Sequence, residues 1–177
     1  MLPRMKRFAL LMALSCVACA EAGGADGGIP VGPAAQTCAP GYVRPDFARL
    51  EAELKTARAL WKAAGIQNYS YDFARIAAPV RFPDVTVTVE GGRIKAVVSQ
   101  GPLEQRLPEG LNVGPVEALF LEITRAITYQ RSQPCADLRV TYSAADGHPT
   151  TSYSGSQFSP LADGNAEWRV TKFSARR

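Results

Sequence analysis

The chain has little of what enzymes most often use. Its 177 residues include one histidine and four cysteines. A single imidazole excludes multi-histidine metal sites and repeated proton relays. No phosphate-cradling GxxxxGK, no dinucleotide GxGxxG and no Ser-x-x-Lys occurs, and after residue 20 there is no CxxC. Ser154-Gly155-Ser156-Gln157-Phe158 lacks the second glycine of a nucleophile elbow. Neither collagen-like periodicity nor the low hydrophobicity of a disordered chain is present, since 46% of residues are hydrophobic and 20% charged. Such a chain has room for one domain whose core needs no metal.

Excess charge of one sign is also lacking once its position is considered. The formal net charge is +4. Three of the 20 basic residues, Arg4, Lys6 and Arg7, precede the first acid, Glu21, so the rest of the chain carries 17 basic against 16 acidic side chains. A nucleic-acid footprint needs basic charge concentrated on one surface, and nucleic acid is not expected as a partner.

What is present begins with an address. Positive charge through Arg7 is followed by an apolar run from Phe8 to Ala20, too short to cross a bilayer and ending in small residues. That order predicts a secretory signal over 1–20. Two processing routes remain open. Ala18-Cys19-Ala20 has the small-x-small form of an ordinary cleavage site, whereas Leu14-Ser15-Cys16 and Val17-Ala18-Cys19 resemble a lipobox in which Cys16 or Cys19 would be acylated. Residues 21–45, mostly Gly, Ala, Pro and small polar side chains, bury too little apolar surface to offset their ordering entropy and read as a flexible leader. Both routes lead to an extracytoplasmic location, periplasm or cell surface. Cys38 and Cys135 are the cysteines left there, and an isolated pair in an oxidising compartment points to a disulfide over a redox or metal site.

Residues 46–177 read as a single domain. Asp46 is placed to cap a helix with Phe47, Leu50, Leu54, Ala57, Trp61 and Ala64 on one stripe and Gly65 at its end. The period then drops to two. Tyr69, Tyr71 and Phe73 alternate with polar residues, Val85, Val87 and Val89 alternate with Thr, and Gly91-Gly92 turns into Ile94, Ala96 and Val98. Gly114-Pro115 opens a second helix, with Pro at its first position and Val116, Leu119, Phe120, Ile123 and Ile127 inward. Strands follow at Leu138–Tyr142, around Thr151–Tyr153 and at Trp168–Phe173, the last with no assignable inward face. The prediction is an α+β fold of order α-β-β-β-α-β-β-β, an antiparallel sheet of about six strands with both helices on one face.

Several segments together resemble a known family. They are Ala59-Leu60-Trp61, Asn68-Tyr69-Ser70-Tyr71, Val85-Thr86-Val87-Thr88-Val89-Glu90-Gly91-Gly92-Arg93-Ile94, Val116-Glu117-Ala118-Leu119-Phe120, Leu138-Arg139-Val140-Thr141-Tyr142 and Asp146-Gly147-His148-Pro149. The chain resembles, over residues 46 to 174, a bacterial envelope family known as domain of unknown function 6174. Many similar proteins carry cysteines just after the Tyr-x-Tyr strand, where this chain has Arg75-Ile76-Ala77-Ala78. The resemblance implies a signal-bearing or lipid-anchored α+β domain and supplies no activity.

Candidate functional residues are few. His148 beside the Asp146-Gly147 turn reads as an exposed or half-packed turn residue over a general base or metal ligand. Asp163-Gly164-Asn165-Ala166-Glu167 offers oxygens but lacks alternate-position calcium spacing. Asp72, on the expected solvent face, and Asp84 are candidate carboxylates. Tyr69, Tyr71, Tyr142, Tyr153 and Trp168 either pack within the sheet or line a ligand-binding surface on it. No cofactor or metal is implied. The expected role is a non-enzymatic binding module for an envelope protein or small ligand, touching membrane only through a lipid anchor. The alternatives are an envelope hydrolase using carboxylates and an inhibitor of another envelope enzyme. Two carboxyl groups converging in a cleft would favour the hydrolase; an open aromatic sheet would favour the binder.

Overall fold

A computed structural model describes residues 37–101, 111–159 and 164–176. The signal and lipidation assignments, with Cys16 and Cys19, lie outside these residues, as do leader residues 21–36 and Asp163.

Helix α1 spans Phe47–Ala64, and the Asp46 carboxylate accepts from the Arg49 backbone N–H at 3.0 Å, as a capping aspartate should. Gly65 closes it in the left-handed region at φ 61°. Phe47, Leu54, Ala57 and Trp61 are its buried stripe. Helix α2 spans Val116–Ser132. Pro115 stands one position earlier than expected, at the N-cap, where it offers no capping side chain. The Tyr69 hydroxyl takes that role and accepts from the Val116 N–H at 2.8 Å, satisfying one of the helix's free donors.

The strands are β1 (Thr37–Cys38), β2 (Tyr69–Ala77), β3 (Val80–Arg81), β4 (Val85–Glu90), β5 (Arg93–Ser99), β6 (Ala136–Tyr142), β7 (Pro149–Ser156), β8 (Phe158–Ser159) and β9 (Ala166–Ala175). The principal sheet runs β5-β4-β2-β9-β7-β6 with β3 added to β2, and every pairing in it is antiparallel. The last strand therefore lies near the middle and joins the two hairpins. Gly91 and Gly92, at φ 57° and 73°, form the tight β4–β5 turn, where side chains would be strained.

Both helices cover one sheet face. Tyr69, Tyr71 and Phe73 of β2, Val85, Val87 and Val89 of β4, and Trp168 and Val170 of β9 point into this layer, all at most 6% exposed. Each such aromatic or branched side chain contributes about 1.5–3 kcal/mol by leaving water. Trp61 of α1 meets Tyr69 edge-on with ring centroids 5.5 Å apart, and the Tyr71 hydroxyl donates to the Gly114 carbonyl before α2. The other face carries Ser70, Asp72, Thr86, Thr171, Arg169, Tyr153 and Arg139 in cross-strand register.

Two bulges change which side chains face inward. Between β4 and β5 the register slips after Val89↔Ile94 to Thr88↔Ala96, leaving Lys95 unpaired. Ala96 and Val98 are thus aligned with outward-facing Thr88 and Thr86, while Val97 packs on the core. The simple alternation expected for this strand is corrected accordingly. In β9, Lys172 adopts φ 48° opposite the slip between Ser70 and Asp72. The shift returns Phe173 to the core beside Tyr69, with centroids 5.3 Å apart.

The end of the leader is tied down. Cys38 and Cys135 form a disulfide, β1 pairs with β8, and the Tyr42 hydroxyl donates to the Ala136 carbonyl at 3.1 Å. Arg44 donates to the Arg131 and Gln133 carbonyls at 2.5 and 2.9 Å, where α2 leaves acceptors free. Packing thus begins before residue 46, at the disulfide.

Candidate functional site

The five aromatic residues do not form one surface. Tyr69, Tyr71 and Trp168 lie between sheet and helices, and burial pushes the Tyr69 hydroxyl up to about 12 and that of Tyr71 further in the same direction. The Trp168 indole donates to Glu122 at 3.1 Å, and the same carboxylate pairs with Arg75. Tyr142 stacks on Phe120 at 6.3 Å under the helices. The expectation of a shared aromatic binding face is corrected for these four, because the helices already occupy that face. Tyr153 alone faces the open side, with the Arg139 guanidinium 4.3 Å from its ring centre.

The open face is polar and internally paired at its centre, with Val98 and Ile76 exposed on it. Lys172 reaches Asp72 at 2.8 Å, and Thr86 donates to the same carboxylate at 2.8 Å. Burial alone would raise the Asp72 carboxyl, but hydrogen bonds from Lys172, Thr86 and Gln100 outweigh it and hold the group below its usual range. Asp72 thus lies on the helix-free face of the sheet, its side chain largely covered by the neighbours that hold it as a carboxylate. Asp84 and Glu167 border a cavity of about 280 Å³ also lined by Arg81 and Arg169, and Glu167 is paired with Arg169 at 2.6 Å.

His148 departs from expectation. It is 7% exposed, stacks on Phe173 with centroids 4.1 Å apart, and places Nδ1 2.6 Å from Asp146 Oδ1. Gly147 enables this packing: its φ is 81°, and a Cβ there would lie 2.2 Å from the Ala57 carbonyl oxygen. The turn is pressed against α1, which buries the imidazole. Among the described residues no group of three or more His, Cys, Asp or Glu side chains could hold a metal ion.

A further concavity lies between the helices, and no candidate functional residue read from the sequence lines it. It is a groove of about 580 Å³ between the C-terminal half of α1 and the first turns of α2. Trp61, Ile66, Phe120 and Leu121 form its apolar lining, with Arg58, Lys62, Gln67 and Glu117 around them. Its volume falls within the range of small-molecule sites. Glu117 accepts from the Trp61 indole N–H at 2.9 Å, which orients the ring. Arg58 donates to the Phe120 carbonyl at 2.9 Å and to Thr124 Oγ1 at 2.8 Å, with its guanidinium 5.5 Å from the Phe120 ring centre. The signal in the sequence was Leu121, which falls off the apolar stripe of α2 yet is large, apolar and 46% exposed.

No protein of curated function matches the sequence. A family model described as a family of unknown function (DUF6174) matches residues 53–175, which include both helices' groove walls and all the principal strands. On that match, spanning well over half the sequence, the chain belongs to this family.

Proposed function

We propose that this chain is an exported binding module of the bacterial cell envelope, which holds a partner or small ligand without chemically altering it. One observation carries the reading: an apolar groove between two helices, open to solvent, whose aromatic floor is fixed in place by hydrogen bonds at Trp61 and Arg58. The uncovered apolar surface is that of Leu121 and part of Ile66, set beside a well-packed core, and such surface favours binding. The signal-like amino terminus and the Cys38–Cys135 bond support an oxidising, extracytoplasmic setting. Hydrolysis by the candidate carboxylates has less support, since Asp72 is engaged by Lys172 and does not line the cavity that Asp84 borders.

Affinity capture from solubilised envelopes, comparing the native chain with Leu121→Asp, tests the site. The expected result is a bound species retained by the native protein and lost from the variant. Equal retention by both would overturn the assignment to the groove. Intact-mass measurement tests export: a chain starting near Glu21, or one lipidated at Cys16 or Cys19, is expected, and an intact Met1 start would contradict it.

A further inference from the structure

The chemistry of the groove narrows what it holds, on the reading that it is the binding site. Leu121 and the half-buried Ile66 present most of the hydrocarbon to the incoming group, above the buried rings of Trp61 and Phe120. The one polar hydrogen among these side chains, the Trp61 indole N–H, is already taken by Glu117. The buried part of a ligand must therefore be apolar, because a polar group placed there would lose its water without a replacement partner.

The rim has the opposite character. Arg58 and Lys62 stand on it against a single acid, Glu117, whose Oε1 faces the indole. Lys62 is exposed and has no ion-pair partner among the described residues. Arg58 spends Nη2 on the Phe120 carbonyl and Thr124, and these bonds fix the guanidinium plane. Its Nε and Nη1 make no hydrogen bond to the described residues and remain free as donors. With Nη2 occupied no bidentate fork is left, so the fixed guanidinium offers single-point donors. Together with the mobile ammonium it makes two adjacent cations that suit an anionic head.

We propose that the α1–α2 groove binds single-chain carboxylate amphiphiles, the alkyl chain lying along Leu121 and Ile66 and the carboxylate meeting Arg58 and Lys62. The open trough, bounded along its length by two helices, admits an extended chain from the side. The alkyl chain supplies most of the affinity through removal from water, and the rim cations select the charge of the head.

The test uses the full-length mature, oxidised protein, titrated by calorimetry with decanoate, 1-decanol and decyltrimethylammonium, each below its aggregation concentration. Decanoate is expected to saturate at one per chain, with the neutral and cationic probes about tenfold or more weaker. Lys62→Glu should weaken decanoate roughly five- to tenfold while favouring the cationic probe. Leu121→Asp should abolish decanoate binding, and Arg139→Glu, on the helix-free face of the sheet, should change nothing. Decanol binding as tightly as decanoate, with Lys62→Glu silent, would overturn the carboxylate assignment and leave an apolar partner site. No saturable binding of any probe, or binding indifferent to Leu121→Asp, would overturn the inference altogether. In that case, retention of an envelope component that Leu121→Asp abolishes would still uphold the broader reading of the groove.

Discussion

At Gly147 two independent restrictions coincide, a left-handed φ of 81° and a gap to the Ala57 carbonyl too small for a methyl group. Ala at this position adds backbone strain to a forced displacement of the turn from α1, at a cost on the order of 3 kcal/mol. Gly147→Ala should therefore lower the urea midpoint markedly without changing the secondary structure seen by circular dichroism. Asp146, next to it, links the turn to acidity. Burial opposes its charge, yet hydrogen bonds from Ser143 and from His148 outweigh that and hold its carboxyl below the usual range. A depressed carboxyl contributes stability above its unfolded value, near pH 4, and loses it as pH falls through the folded value. Asp146→Asn should destabilise the protein at neutral pH, and the gap between variant and native chain should narrow below about pH 4. A constant gap across an acid titration followed by denaturant melts would refute this role. The histidine itself was visible in the sequence but its burial was not, since that depends on a glycine meeting a helix some 90 positions earlier.

Among the elements, α2 shows how a helix can draw on distant residues at both ends. Its first N–H is satisfied by Tyr69, and at its end Arg44 takes the Arg131 and Gln133 carbonyls beside the local bonds from Ser132 and Gln133 to Tyr129 and Gln130. Arg44→Ala should fray the final turn, costing about 1 kcal/mol. Hydrogen exchange at Tyr129–Ser132 should accelerate while exchange in α1 stays unchanged; an unaffected last turn would show that water replaces the guanidinium. Helix α1 was legible because its cap, stripe and terminating glycine are contiguous, and the β4–β5 turn because two glycines mark it. The short strands β1, β3 and β8, two residues each, carry no period to read. The bulges at Lys95 and Lys172 were equally hidden, as neither position holds the glycine that would announce one.

For the whole molecule, fold class and helix placement followed from alternation and amphipathicity, but sheet order did not. Strand β9 pairs with its near neighbour β7 and also with β2, roughly 90–105 residues earlier, and no local pattern encodes that choice. The groove was hidden for a related reason: its walls belong to different helices, and Leu121 is one of several apolar residues off the buried stripes, with Leu60 on α1 and Tyr129 on α2. Removing the disulfide tests the molecule at the same scale. Cys38 and Cys135 are 97 positions apart, and a closed loop of that size corresponds to about 4–5 kcal/mol of unfolded-state entropy. Cys38→Ser with Cys135→Ser should lower the melting temperature by roughly 10–20 °C, and an unchanged melting temperature would mean that Tyr42, Arg44 and the β1–β8 pairing already hold the segment.

That same bond sets a path for mechanical load. Tension drawn through the amino-terminal leader arrives at Cys38 and crosses directly to Cys135, at the start of the edge strand β6. The 97-position span between them, holding both helices and the groove, is short-circuited and cannot be drawn out while the sulfurs remain joined. Roughly 320–350 Å of extended chain is thereby withheld from stretching. A protein tethered by its leader would transmit a pull to its sheet edge and leave the helix pair slack.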